Sequence, residues 1–491
     1  MDFIIGQEEL VKDVDNTPAI ESDGDDMYGC LFRSVACVMK HRRLYFAVLH
    51  QKDSIPHLKN CYMFSTDNVL YEKFFDDFGP VHLSAVYRYC KSLNEMLDER
   101  DVGYFRILHY TSPETPKLLN AAFLMGSYAI IYLQHTAESI LRTLRMQSNR
   151  LGKFCDASQH GPSYLISLND CLSAMEKAHS KGFFYFTDFD YYAYEHYERV
   201  ENGDLNWIVP GKLLAFSGPH KDSRVENGVQ LHGPEKYIEY FHLNNVTAVV
   251  RLNMKKYDAK KFTAERIKHC ELYFVDGGVP TNMILRRFLS FCETEKGAIA
   301  VHCKAGLGRT GTLIGAYIIK HFSFSALEAI AWIRICRPGS VIGQQQTWLQ
   351  HSESFLFAEG KAYRQMHPSS NRRRLPYGIY SIKKNANAWN ADALIFEGSH
   401  STRDHVGVIF PKNDILHLCD KSEYTNTTGA TNNQINNNVL ANEDSFQTVV
   451  HADVQKQNVV VENIGQESSL PTQGDQLNKI KVNHRRNAQQ R

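Results

Sequence analysis

Between about residues 28 and 360, short apolar runs alternate with longer helical patterns. The short runs are rich in β-branched and aromatic side chains, as in Ala298–His302, and this composition is typical of buried strands. The longer patterns, such as Thr312–Ile319, are typical of helices. This regular alternation predicts an α/β fold with a central, mainly parallel sheet that is flanked by helices.

The order of these elements repeats once along the chain. Ile107–Tyr110 and Ala300–Cys303 each lie on a predicted strand that leads through a loop to an apolar helix and then to an amphipathic helix. Although α/β proteins often reuse such units, the shared order favours two copies of one domain. The loop at 110–117 reads Tyr-Thr-Ser-Pro-Glu-Thr-Pro-Lys, and the loop at 303–311 reads Cys-Lys-Ala-Gly-Leu-Gly-Arg-Thr-Gly. Only the second is suited to chemistry, so we expect two tandem domains of which the second is catalytic.

The composition changes at both ends of the chain. The first residues are polar and acidic, and the segment beyond Arg364 contains an Asn-rich tract at 432–438. Such segments bury too little apolar surface to fold, so we predict a low-complexity, disordered tail. The predicted parts are a flexible N-terminus at 1–27, a non-catalytic domain at 28–187, a linker helix at 188–201, a catalytic domain at 202–366 and the tail at 367–491.

Charge and cysteine content narrow the class of protein. The 491 residues carry 55 Lys and Arg against 54 Asp and Glu, a balance that argues against bulk nucleic-acid binding. The apolar stretches near 121–133 and 312–319 are too short to span a bilayer. The 11 cysteines form no C-x-x-C pair, so neither a zinc site nor a disulfide framework is indicated. We therefore expect an intracellular protein with no nucleic-acid partner, no membrane insertion, no metal and no cofactor.

The loop that starts at Cys303 has the features of an oxyanion site. Gly306 and Gly308 allow the backbone to curl its N–H groups inward, and the helix start that follows adds free donors and a positive dipole end. This field lowers a thiol pKa from about 8.5 towards the range of about 3.5–7.5, so we expect Cys303 to be a thiolate nucleophile. Arg309 can bind two phosphate oxygens, and Thr310 can donate a hydrogen bond to the sulfur. The predicted phosphate-binding residues are Lys304, Ala305, Gly306, Leu307, Gly308 and Arg309.

A second Cys-x5-Arg match in the chain serves as a control. Cys37 lies six residues before Arg43, but the segment between them has no glycine and no helix start follows it. We therefore interpret Cys37 as a small buried apolar residue.

Phosphate transfer to Cys303 also needs an acid for the leaving oxygen and a group that positions water. Asp276 follows the strand-like run 271–275 and enters the loop 277–280, where its carboxyl group can protonate the leaving oxygen and later deprotonate water. The alternative is an Asp that only shapes a turn. Gln345 and Gln346 can position water for hydrolysis, although this segment is also compatible with a solvated loop.

Several runs closely resemble the cell division cycle fourteen family of mitotic-exit dual-specificity protein phosphatases. The runs are Ala298–Thr312, Trp332–Gly343, Tyr194–Arg199 and Glu201–Asp204. The resemblance extends from about Tyr28 to Gly360 and implies two tandem phosphatase-like domains, the first without catalytic residues. It also implies that Cys303 is the nucleophile, that Arg309 binds phosphate and that Asp276 is the general acid.

The resemblance further implies a substrate groove between the domains, with an acidic rim that matches Glu195, Glu198 and Asp204. Three carboxylates within ten residues favour a peptide with Lys or Arg downstream of the phosphorylated residue, although a solvated linker face is the alternative. The family acts on phosphoserine or phosphothreonine before proline, and on phosphotyrosine, and so reverses cyclin-dependent kinases in mitotic exit, cytokinesis and cell-cycle control. Its members occur in the nucleus and cytoplasm and at centrosomes or spindle structures.

The sequence departs from the family pattern in two places. The loop of residues 276–280, called the acid loop below, has Gly278 and Val279 where the family usually has Ser and Thr. Gln344 replaces a proline. The hydrogen bonding of the acid loop and the positioning of water are therefore expected to differ.

Two other functions are compatible with parts of the sequence. A phosphoinositide phosphatase would share the cysteine loop, but lipid phosphatases have a second lysine where this chain has Leu307. A catalytically silent phosphate-binding scaffold is the other alternative. It is disfavoured because Cys303, Arg309, Thr310 and Asp276 are all present.

Overall fold

The structure is a computed structural model of the chain. It describes residues 32–38, 44–50, 61–69, 71–98, 106–144, 152–159, 161, 164–226, 229–368, 374–383 and 472–489. All of these residues belong to one compact unit.

The first domain is built on a four-stranded sheet with the strand order β1-β2-β4-β3. The strands are β1 Phe32–Cys37, β2 Leu44–Leu49, β3 Cys61–Ser65 and β4 Arg106–Thr111. β4 pairs in parallel with both β2 and β3, whereas β1 is antiparallel to β2 at one edge. Two short strands, β5 Phe154–Cys155 and β6 Leu165–Ile166, form a separate antiparallel pair.

Three of the four helices described in the first domain begin at residues that favour helix starts. The four helices are α1 Leu83–Asp98, α2 Thr115–Leu133, α3 Ala137–Thr143 and α4 Leu168–Lys181. A proline lies in the first turn of α2, where its missing N–H costs nothing. The side chains of Thr136 and Ser167 each accept a backbone hydrogen bond in a capping box at the start of α3 and α4.

The catalytic domain contains a five-stranded sheet with the order β12-β11-β13-β8-β7. Its strands are β7 Leu205–Val209, β8 Leu213–Phe216, β11 Val246–Arg251, β12 Lys268–Glu271 and β13 Ala298–His302. Outside this sheet, β9 Arg224–Glu226 and β10 Val229–Leu231 form an antiparallel pair. The helices are α6 Glu235–Leu243, α7 Lys260–Thr263, α8 Asn282–Thr294, α9 Gly308–Phe322, α10 Ala326–Cys336 and α11 Gln344–Met366. β13 is buried throughout and pairs in parallel with β8 and β11, which explains its uninterrupted apolar sequence. Its carboxyl end places Cys303 at the sheet edge where ligand sites of open α/β sheets form.

The two domains share one hydrophobic core. The ring of Phe183 lies 4.7 Å from that of Phe322 and 5.6 Å from that of Trp332. Between the domains, helix α5 Tyr191–Tyr197 is fixed by Tyr194, whose buried hydroxyl donates to the carbonyl of Cys336 at 2.9 Å. The two domains are therefore held together by common packing.

Two details of the structure differ from the sequence-based expectations. Cys37 is exposed at the end of the edge strand β1, so the prediction that it is buried is wrong. The strand before the acid loop ends at Glu271, although the amides of Leu272 and Phe274 still donate to the carbonyls of Arg251, the last residue of β11, and Leu252. Its predicted continuation to residue 275 is therefore extended chain rather than strand.

Two segments within the predicted tail are packed against the body of the protein. In residues 374–383, Ile379 and Tyr380 are buried, and the amide of Ile379 donates to the carbonyl of Phe183 at 2.8 Å. The second segment contains helix α12 Gln473–Gln489. The averaged composition of the tail did not reveal these short runs, and the rest of the predicted tail beyond residue 368 lies outside the described residues.

Within the described part of the chain, no helix is long and apolar enough to cross a membrane.

Candidate active site

The loop of residues 303–309, called the phosphate loop below, connects β13 to the first turn of α9. The surrounding protein donates hydrogen bonds to most of its carbonyl groups. The donors are His302 Nδ1 to Cys303 (2.9 Å), the amide of Gly218 to Lys304 (3.0 Å), Arg337 to Ala305 (3.1 Å) and Gly306 (2.8 Å), and Thr312 Oγ1 to Gly308 (2.8 Å). Because the N–H and C=O of a peptide unit point in opposite directions, the amides of this loop face inward and form the predicted cradle.

Gly306 is required by the shape of this loop. Its φ of +66° lies in the left-handed region, and a Cβ atom would lie 2.0 Å from the carbonyl oxygen of Phe216. A side chain at this position would therefore displace either the loop or strand β8.

Cys303 lies almost fully buried at the centre of the site. Burial opposes ionisation of the thiol, but the charge of Arg309 and hydrogen bonding from Thr310 outweigh it, so the pKa of Cys303 is lowered. The nearby negative charge of Asp276 acts in the opposite direction. The buried Thr310 hydroxyl makes no other hydrogen bond within the described part of the chain, so it is available to the sulfur.

A buried histidine, His302, forms a hydrogen bond with the backbone of the nucleophile. His302 donates from Nδ1 to the carbonyl of Cys303, and burial lowers the pKa of His302 to about 3, so the ring is neutral. Nε2 must then accept the hydrogen bond at 2.7 Å from the hydroxyl of Tyr257. This arrangement fixes one tautomer of His302 and the orientation of the Cys303 peptide.

Arg309 and Asp276 meet beside the thiol. The Nη2 atom of Arg309 lies 3.0 Å from Oδ1 of Asp276, and Nη1 donates to the carbonyl of Phe274 at 2.9 Å. The buried Nε of Arg309 has no partner in the described part of the chain. The structure thus brings together the predicted nucleophile, phosphate-binding arginine and acid.

The two glutamines occupy different places. Gln345 Nε2 donates to the carbonyl of Gly278 at 3.1 Å, and Oε1 accepts from the amide of Ile342 at 3.0 Å. Gln345 therefore connects the acid loop to the start of α11. Gln346 instead contacts residues outside the phosphate loop: its Oε1 contacts Arg334, and its Nε2 donates to the carbonyl of Gly343 at 3.1 Å.

The three predicted groove carboxylates also differ in their contacts. Glu195 accepts two hydrogen bonds of 2.7 Å from Arg88 of the first domain, and Ser84 donates a further one. Glu198 is the C-cap of α5. Asp204 is buried beside the phosphate loop and pairs with Arg337 and Lys481. Burial alone would raise its pKa, but these two positive charges lower it.

Helix α12 covers the site and contacts several predicted residues. The amide of Gly474 donates to Asp276 Oδ2 at 3.1 Å, and Lys304 pairs with Asp475. The side chain of Leu477 is buried in an apolar pocket that includes Ala305, Leu307, Ile342 and Ala157.

The same helix also contacts one of the three predicted groove carboxylates, Asp204. Lys481 Nζ donates to Asp204 Oδ2 at 2.6 Å and to the carbonyl of Ala305 at 2.9 Å. A lysine of the same chain thus pairs with Asp204, where the sequence predicts a basic residue of the substrate.

Sequence reasoning missed α12 and Arg337. A helix-start signal was present for α12, since Thr472 precedes Asp475 by three residues and its amide donates to that carboxylate at 3.0 Å. Nothing comparable marks Arg337, whose role depends on where the loop carbonyls lie in space.

Both domains match known families. The family described as "Dual specificity protein phosphatase, N-terminal half" matches residues 38–178, and "Dual specificity phosphatase, catalytic domain" matches residues 230–354. Over 324 residues the chain is 48% identical to the human protein "Dual specificity protein phosphatase CDC14C", which corresponds to 66% of this chain and 72% of that protein. The chain belongs to the CDC14 family of dual specificity protein phosphatases.

Other CDC14 proteins match the same region. "Dual specificity protein phosphatase CDC14AB" of Danio rerio is 52% identical over 342 residues, which are 69% of this chain and 56% of that protein. Human "Dual specificity protein phosphatase CDC14A" is 52% identical over 331 residues, 67% of this chain and 55% of that protein. The chain thus spans little more than half the length of these two relatives. The matches confirm the family resemblance and the tandem phosphatase-like domains.

Proposed function

We propose that this protein is a dual-specificity protein phosphatase that works through a phosphocysteine. The observation that carries the proposal is the placement of an activated thiol in a ring of inward-facing amides, with Arg309 and Asp276 beside it. CDC14 membership supports the same reaction.

In the first step, the Cys303 thiolate attacks phosphorus, an S–P bond forms and the bond from phosphorus to the leaving oxygen breaks. Asp276, protonated at this stage, gives its proton to that oxygen. The loop amides and Arg309 bind the phosphate oxygens and stabilise the charge of the transition state. No metal or cofactor takes part in this scheme.

In the second step, water attacks phosphorus and Asp276 accepts a proton from that water. The S–P bond breaks, and the hydrogen bond from Thr310 stabilises the departing thiolate. Inorganic phosphate and the original thiolate result. Gln345 is the better placed of the two glutamines to act on the water, because it lies beside Gly308 of the phosphate loop.

The substrates are phosphoserine or phosphothreonine followed by proline, with a basic residue downstream. Asp204 supports the basic preference, because its carboxylate lies beside the phosphate loop and pairs with a lysine. The apolar pocket around Leu477 supports an apolar residue next to the phosphorylated one. We place such a protein in the nucleus and cytoplasm and at the centrosome or spindle, where it reverses cyclin-dependent kinase phosphorylation during mitotic exit and cytokinesis.

A panel of phosphopeptides tests this proposal. The peptides vary the proline after phosphoserine and the downstream basic residue, and phosphate release is measured for the wild type and for Cys303→Ser. Wild-type turnover is expected to be highest with both features, and Cys303→Ser is expected to bind but not hydrolyse the peptides. An absence of wild-type turnover on every peptide and on an aryl phosphate would contradict the proposal.

A further inference from the structure

One guanidinium group connects the phosphate loop to a carboxylate of the groove. Arg337, which follows α10, is 2% exposed. Its Nε donates to the carbonyl of Gly306 at 2.8 Å, and its Nη2 donates to that of Ala305 at 3.1 Å. Its Nη1 donates to the carbonyl of Asp204 at 3.0 Å, lies 2.9 Å from Oδ1 of the same residue and donates to Asn206 Oδ1 at 2.6 Å.

These contacts fix the part of the loop that binds phosphate. The carbonyl of Ala305 shares a peptide unit with the amide of Gly306, and the carbonyl of Gly306 shares one with the amide of Leu307. Because Arg337 holds both carbonyls outward, both amides face inward. Arg337 itself is separated from the phosphate by the loop, so it acts on the reaction only through these amides.

The ammonium group of Lys481 also donates a hydrogen bond to the carbonyl of Ala305. Lys481 Nζ lies between Asp204 Oδ2 and the carbonyl of Ala305, at 2.6 and 2.9 Å. Its ammonium stands in for the Lys or Arg side chain that a substrate would place beside Asp204. A substrate cation at this position would therefore contact the phosphate loop as well as the groove carboxylate.

We propose that Arg337 is a positioning residue that couples a basic-residue subsite, formed by the Asp204 carboxylate and the Ala305 carbonyl, to the phosphate loop. This inference rests on the proposed phosphatase function. Binding of the basic residue of the substrate then stabilises the transition state. The reason is that the phosphate loop, which accepts a hydrogen bond from this residue, also binds the transferred phosphoryl group. A downstream Lys consequently raises kcat as well as lowering KM.

The test compares two buried cations in the full-length protein. Arg337→Gln removes the connecting guanidinium, and Lys320→Gln removes a similarly buried cation whose partners are Glu293 and Glu359, away from the loop. Tungstate inhibition measures the oxyanion site, and two phosphopeptides that differ only by a downstream Lys or Ala measure the coupling. Arg337→Gln is expected to weaken tungstate binding about tenfold or more and to remove the Lys effect on kcat. Lys320→Gln is expected to change neither.

A second variant tests the subsite if Arg337→Gln does not fold. Asp204→Asn keeps the backbone acceptor for Arg337 but removes the charge, so tungstate binding should persist while the Lys effect on kcat disappears. Unchanged tungstate affinity and an unchanged Lys effect in folded Arg337→Gln would overturn the inference, as would a Lys effect confined to KM in the wild type. If the wild type hydrolyses an aryl phosphate in that case, only the coupling fails and the proposed function stands.

Discussion

At the scale of single residues, the charge state of Cys303 depends on two neighbours that oppose the effect of burial. Arg309 and Thr310 lower its pKa, and a lower pKa means that the thiolate persists to lower pH. Thr310→Ala is therefore expected to raise the pKa of Cys303 and to move the midpoint of iodoacetate alkylation to higher pH.

This shift is checked by the alkylation rate as a function of pH. Thr247→Ala is the matched control, because it removes a threonine that donates to Glu295 at 2.8 Å away from the phosphate loop. An equal midpoint for Thr310→Ala and the wild type would contradict the assigned role of the hydroxyl.

The position of Asp276 predicts a dependence on the leaving group. Asp276→Asn keeps the shape of the side chain but removes its proton-transfer function, so hydrolysis of a phosphoserine peptide should slow by about 10²–10⁴-fold. An aryl phosphate, whose leaving group needs no proton, should slow much less. Both rates are measured as kcat at one pH, and equal slowing would rule out Asp276 as the acid.

At the scale of elements, helix α5 is attached to the first domain by the pair of Glu195 and Arg88. Burial opposes ionisation of Glu195, but Arg88 and Ser84 lower its pKa, so the pair stabilises the fold at pH values above the unfolded-state pKa. This stability is lost as the pH falls through the lower pKa of the folded state.

Arg88→Ala is accordingly expected to reduce the free energy of unfolding by about 1–2 kcal/mol at pH 7, because a charged hydrogen-bonded partner is removed from a half-buried site. Urea unfolding midpoints measure this, and the difference from the wild type should shrink at pH 3. An unchanged midpoint in Arg88→Ala at pH 7 would show that this pair does not stabilise the fold.

The elements that form the reaction centre follow from local sequence, and this explains why they could be predicted. The apolar run of β13, the glycines of the loop and the start of α9 depend on residues next to one another. The predicted strand before Asp276 is too long, because residues 272–275 are all apolar or aromatic and so resemble a strand, whereas the strand in the structure ends at Glu271. Cys37 was misjudged because an edge strand exposes alternate residues that a central strand would bury.

At the scale of the whole molecule, α12 and a substrate would use the same surface. Three predicted site residues, Lys304, Asp276 and Asp204, all contact α12. In the Cys303→Ser background, a chain of residues 1–470 is therefore expected to bind a basic phosphoserine-proline peptide several-fold more tightly than the full-length chain, because no internal segment has to be displaced.

Fluorescence anisotropy with a labelled phosphopeptide measures this difference. Lys481→Ala should reproduce part of the gain, whereas Lys479→Ala, a lysine on the exposed side of α12, should not. Equal affinity of the truncated and full-length chains would show that α12 does not compete for the groove.

The sequence could not place α12 on the catalytic domain. Its hydrogen bonds to the catalytic domain join residues 168 to 277 positions apart, such as Lys304 with Thr472 and Asp204 with Lys481. The position of Arg337 between Asp204 and the phosphate loop has the same origin, since it depends on three segments that meet only in the folded protein. Local patterns thus identified the candidate catalytic residues, while the contacts that cover them are long-range.

Because Lys481 and Asp204 belong to one polypeptide, the segment that fills the groove is a tethered ligand. Its local concentration is the same in a dilute assay and in a crowded cell, and only a change in the tether or in the segment itself can alter it. Diluting the enzyme therefore leaves the fraction of vacant grooves unchanged, whereas raising the substrate concentration increases the fraction that holds substrate.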